Sequence, residues 1–191
     1  LYQYHSRLQE YSLGNFKDFV SVIGLEPAML RYLNGYSNKK KAPNENYARE
    51  LYELFTLGEG NGYTSNDITE TSRALTGYNK YLDGYGSAVV FNENTFDSGD
   101  KTIFGKTGNW GYQDVIDILF EEKKELIANF ICEKLYKYFV SPVLNKEITS
   151  QLALTFIAAD FELVPVYNQL FKSKHFFDPN SSNVLIKSPI D

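Results

Sequence analysis

Glu50 and Glu53 stand three residues apart in the run Asn-Glu-Asn-Tyr-Ala-Arg-Glu-Leu-Tyr-Glu-Leu-Phe-Thr-Leu-Gly, residues 44–58, and Arg49 lies beside them. On a helix that spacing puts both carboxylates on one side, about a turn apart. Arg73, on the next helical pattern, is within reach of the same face if the two helices pack together. Two chemistries fit these residues. Paired carboxylates with separated pKa values serve general acid and base catalysis, as in a hydrolase. Alternatively, the guanidinium forks of Arg49 and Arg73 neutralise both acids and fasten two helices. The second reading is favoured, because interior ion pairs perturb carboxylates without doing chemistry. If such a network is buried, loss of Arg49 alone costs about 3 kcal/mol.

Other residues offer weaker chemistry. Asp97 and Asp100, with Glu93 and Asn94, supply hard oxygen ligands of the kind calcium accepts, but their spacing is not that of an EF-hand, and a plain solvated turn is the favoured reading. His5 and His175 are the only histidines and lie near opposite ends, so a zinc centre is not expected. Cys132 is alone and sits in a helical pattern beside Ile131, which excludes an internal disulfide and suits a small buried side chain. Tyr78, Tyr81, Tyr85, Trp110 and Tyr112 concentrate in one region, either as a platform for a sugar or a partner protein or as core packing. Gly105-Lys106-Thr107-Gly108 lacks the glycine spacing of a phosphate cradle, and no dinucleotide or nucleophile-elbow motif occurs, so no cofactor is expected.

The elements that must position these residues are mostly helical. In residues 44–58, Tyr47, Leu51, Leu54 and Phe55 form an apolar face and Asn46, Arg49, Glu50 and Glu53 a polar one, with Asn44 as cap and Gly58 as exit. Phe16, Phe19, Val20 and Ile23 mark a helix that stops at Gly24. Another starts near Glu26 with Pro27 in its first turn and ends at Asn34-Gly35. Thr64 and Asp67 make a capping-box start, with Gly77 as the exit. Asp114 opens a helix, a second runs over 124–140, Asn145 caps a third, and a last one covers 164–172. Ala88-Val89-Val90-Phe91 and Thr102-Ile103-Phe104 read as two strands of a small β-hairpin inserted over about 86–106, and the tail from Ser181 reads as extended. The expected fold is mainly α: a multi-helix globular domain over residues 1–191 with one small inserted hairpin.

Bulk properties narrow the function. Hydrophobic residues at 43% and charged residues at 23% describe an ordinary globular chain that folds around a core. The net charge of -5, with the one basic cluster Lys39-Lys40-Lys41 in a loop, disfavours nucleic acid. No apolar run is long enough to span a bilayer. The chain begins at Leu1 without a signal-peptide pattern and reads as a fragment of something longer.

Leu13-Gly14-Asn15-Phe16, Glu26-Pro27-Ala28-Met29-Leu30, Tyr32-Leu33-Asn34, the central 44–58 run, Arg73-Ala74-Leu75-Thr76-Gly77, Asp97-Ser98-Gly99-Asp100-Lys101, Lys134-Leu135-Tyr136 and Ile186-Lys187-Ser188-Pro189 occur in that order. Together they resemble a bacterial family catalogued as domain of unknown function 1800, most closely its Bacteroidetes versions. The resemblance covers nearly the whole chain and implies no established activity. It implies that the parent protein is longer and exported, to the periplasm or cell surface. Many relatives carry a His-Asp pair where this chain has Phe96-Asp97, so chemistry built on that histidine is not expected here. The leading expectation is a helical interaction or scaffold module of an exported bacterial protein. The alternatives are a hydrolase using Glu50 and Glu53, and a non-catalytic carbohydrate binder using Tyr78, Tyr81 and Trp110.

Overall fold

The computed structural model describes residues 2–78, 80–81 and 89–179. Within them the chain is mainly α, with small antiparallel strand pairs between the helices. Helices α1 (Tyr2–Tyr11), α2 (Phe16–Gly24) and α3 (Pro27–Tyr32) lead into a central helix, α4 (Asn46–Glu50), which continues without a break as a π-helix over Leu51–Thr56. Helix α5 (Ser65–Ala74) follows, and after the strands come α6 (Tyr112–Glu122), α7 (Lys124–Phe139), α8 (Lys146–Ala158) and α9 (Leu163–Phe171). Three helix starts carry side-chain caps. The Asn15 carboxamide accepts from the amides of Lys17 and Asp18, Thr64 and Asp67 form the reciprocal capping box, and Asn145 accepts from the Ile148 amide. Asn44 also caps as expected, its Oδ1 accepting the Asn46 N–H at 3.0 Å.

The core is centred on α6 and α7, where Val115, Ile116, Leu119, Ile127, Ala128 and Cys132 are fully buried. Helix α8 adds Phe156 and α9 adds Val166. Phe16, Phe120, Phe156 and Phe161 pack ring against ring at centroid distances of 4.9 to 6.0 Å, so one aromatic cluster joins α2, α6, α8 and the turn before α9.

Two details depart from the sequence reading. The strands do not pair as one hairpin over 86–106. Strand β2 (Val89–Val90) pairs with β1 (Lys80–Tyr81), whereas β3 (Lys101–Ile103) pairs with β4 (Lys106–Gly108). Phe104 and Gly105, the link between β3 and β4, have φ of 48° and 81°. Positive φ at both central residues is the twist of a type I′ turn, normally written Asn-Gly, and a phenylalanine in the first position hides it from sequence. The second departure is the π turn. Its wide register, with Leu57 N–H donating to Tyr52 O at 2.7 Å, inserts one extra residue per turn. Tyr52 and Thr56 therefore rotate into the core, and Leu54, expected inside, is 49% exposed. The extended reading of the tail from Ser181 lies outside the described residues.

Candidate functional site

The acids and arginines fall into two separate networks instead of one, the first on the central helix and the second between α5 and the segment before β3. Arg49 reaches Glu45 at 3.2 Å and Glu53 at 3.5 Å, both one turn away, with 45% of its side chain exposed. Glu45 also accepts from Thr69 Oγ1 at 2.7 Å, which links α4 to α5, and Glu53 accepts from the Tyr63 hydroxyl at 2.8 Å. Among the described residues Glu50 makes no ion pair. The expected placement of Arg73 against Glu50 and Glu53 is thus corrected: its position on α5 points the side chain toward the segment before β3.

Arg73 is the centre of the second network. Its Nε and Nη2 donate to the two oxygens of Asp97 at 2.8 and 3.3 Å, and Nη1 donates to Glu70 at 2.9 Å and to the Asp100 carbonyl at 3.1 Å. Glu70 in turn accepts the Thr102 N–H at 3.0 Å, and Asp67 accepts the Phe104 N–H at 2.8 Å. One turn of α5 therefore supplies carboxylates to alternate amides on the open edge of β3, where another strand would otherwise pair. The Arg73 hydrogen bonds hold the Asp97 carboxyl below its ordinary range, and the Arg73 guanidinium is raised in return. Asp97 is a latch in this arrangement, and the Asp100 side chain stands exposed in solvent. No group of three or more metal-ligating side chains occurs among the described residues.

Lys101, which sequence reasoning passed over, is fully buried on β3. Its ammonium donates to the Trp110 carbonyl at 2.9 Å and Asn109 Oδ1 at 3.2 Å and lies 4.7 Å from the Phe96 ring centre. Desolvation lowers its pKa. A lysine is usually an exposed residue, so nothing in the sequence marks this one as interior.

The aromatic candidates differ in burial, Tyr78 and Trp110 being half-buried against the core. Tyr112 is buried and donates to the Ser21 carbonyl at 2.9 Å, so in the 3.3 Å pair with Tyr47 its oxygen accepts. Burial raises both tyrosines. Tyr78 packs on Phe91 and Tyr112, and Trp110 donates its indole N–H to the Lys106 carbonyl while its ring covers Gly108. Tyr81 falls on β1, and Tyr85 lies outside the described residues. Cys132 is enclosed, and burial pushes its thiol up to about 12. His175 stacks on Tyr136 and shares a 2.7 Å hydrogen bond with its hydroxyl.

The concave feature near the central helix is a groove of about 610 Å³ between α1, α2, the π segment, α7 and α9. Leu8, Phe19, Leu51, Leu54, Phe55 and Leu135 are among its walls, and neither Glu50 nor Glu53 lines it. Its residues come from helices far apart in sequence, which is why no local pattern announces it.

No helix among the described residues is long and apolar enough to cross a membrane. No curated protein and no solved structure matches the chain. The model of one family, described as a protein of unknown function and designated DUF1800, matches residues 1–191 in full, and the chain belongs to that family.

Proposed function

We propose that this chain is a binding module that works through the apolar groove and carries out no chemistry at Glu50 and Glu53. The observation that carries this reading is the groove itself. Its volume lies in the range of small-ligand sites, roughly 300–1,000 Å³, and its walls are almost entirely hydrocarbon and aromatic. The π turn favours the same reading, since it swings Leu54 out of the core to the groove wall, and π turns recur at functional sites. Against the hydrolase alternative, Glu53 is held by Arg49 and Tyr63, and the acids stand away from the groove. Against the carbohydrate alternative, Tyr78 packs on Phe91 and Tyr112, and the Trp110 ring lies against Gly108.

The family resemblance supports placing the parent protein among exported bacterial proteins, at the periplasm or cell surface, where a fusion reporter active only outside the cytoplasm gives signal. The binding reading is tested with the neutral, polarity-sensitive dye Prodan. Saturable blue-shifted fluorescence is expected with the full chain and is lost in Leu54→Glu, at a position already exposed. In a broad hydrolase screen, activity abolished by Glu50→Gln or Glu53→Gln overturns the reading.

A further inference from the structure

The groove has a charge as well as a volume. Among the described residues lining it, Lys134 is the only one with a formal charge. Its ammonium donates to the Leu54 carbonyl at 2.8 Å, near the C-terminal end of the π segment where helix carbonyls lack partners, and lies 4.7 Å from the Phe130 ring centre. It has no carboxylate partner among the described residues, and desolvation lowers its pKa with no acid opposing the shift. An ammonium has three donors, so one bond to Leu54 leaves two. Lys134 stays exposed to solvent at its place on the lining, and a cation without an acid partner beside an apolar wall attracts an anion.

Hydrocarbon walls and one cation select different parts of one molecule. We propose that the groove takes a single-chain amphiphile with a carboxylate head, a fatty-acid-type ligand, whose chain lies along the walls formed by α2 and the π segment and whose head pairs with Lys134. This assignment rests on the binding-module reading and adds the ligand class to it. Groove volume favours one such chain over a partner helix. Tyr11 and Tyr138 belong to the same lining, and a phenol is a hydrogen-bond donor of the kind a carboxylate head accepts.

Displacement of Prodan by dodecanoate, below its micelle concentration, tests the assignment. Dodecanoate is expected to compete at least about tenfold better than dodecyltrimethylammonium, the factor of one charge-assisted contact. Lys134→Met removes that preference while Prodan still binds, and Lys134→Arg retains it, which separates loss of the charge from loss of the fold. Equal displacement by the anionic and cationic amphiphiles, or a preference unchanged in Lys134→Met, overturns the ligand class and leaves the binding module standing. Concentration-dependent dimerisation that closes the groove to Prodan in light scattering overturns it too, by making a second copy the occupant. Failure of the wild-type chain to bind Prodan at all strikes the binding reading itself.

Discussion

Arg49 and Arg73 show how position decides what an ion pair contributes. Arg49 pairs along its own helix in solvent, where such contacts contribute about 0–1 kcal/mol. Arg73 is 25% exposed and satisfies two carboxylates that are 17% and 18% exposed, so removing it strands both. Arg73→Met is therefore expected to lower unfolding free energy by about 2–3 kcal/mol in urea melts, and Arg49→Met by less than about 1 kcal/mol. The reverse order would remove Arg73 as the clasp between α5 and β3. The same clasp has a pH signature. Because the Arg73 contact holds the folded Asp97 carboxyl below its unfolded value of 3.8, its stabilisation is complete above that pH and fades as pH falls through the folded value. The stability gap between wild type and Asp97→Asn should shrink on acidification below 3.8. A gap that stays constant there rejects the assignment.

At the scale of the element, helix ends were readable and helix register was not. Asn15, the Thr64 and Asp67 pair, Asn145 and the left-handed Gly58 (φ 93°) are local signals, and each works where its type and position imply. The π turn leaves no such mark. It is held by one contact to another element, Tyr52 bonding to Thr71 of α5 through their hydroxyls, and by one inside the segment, Thr56 bonding back to the Leu51 carbonyl at 2.5 Å. The α-helical period therefore named Leu51 correctly and misplaced Leu54. Pairing with Asp97, 24 residues from Arg73, was invisible for the same reason. The packing of α2 on the central helix and α6 offers a direct check. A methyl group on Gly24 would overlap the hydroxyls of both Tyr47 and Tyr112, the second anchored to the Ser21 carbonyl and the first bonded to the second. Gly24→Ala is expected to destabilise by about 2–3 kcal/mol in spite of the better helix propensity of alanine. Adding Tyr47→Phe removes one of the obstructing oxygens and should recover part of that loss. If Gly24→Ala melts at the wild-type midpoint, the close approach of α2 to these tyrosines is wrong.

At the scale of the whole molecule, the beginning of the described chain is tied to its last helices through one short seam. Asp160 and Phe161, between α8 and α9, both have left-handed backbones, with φ of 49° and 63°, a conformation that costs of order 1 kcal/mol for each residue other than glycine. The seam holds them there: Phe16 N–H donates to Phe161 O at 2.8 Å, and Leu163 N–H donates to Gly14 O at 3.1 Å. Asn15 joins both sides, since its Oδ1 caps α2 while its Nδ2 donates to the Asp160 carbonyl at 2.6 Å. The two halves of that carboxamide can be separated. Asn15→Ala loses both and should cost about 2 kcal/mol. Asn15→Asp keeps the cap acceptor but loses the donor and sets a negative charge beside Asp160 O and Glu162, so its cost, about 1 kcal/mol, reports the long-range side of the carboxamide, lost bond and new repulsion together. An Asp variant as stable as wild type in urea would mean that the cap is the whole contribution of the Asn15 side chain, and that the backbone bonds of the seam and the aromatic cluster of Phe16, Phe120, Phe156 and Phe161 join α2 to α8 and α9 without the carboxamide donor.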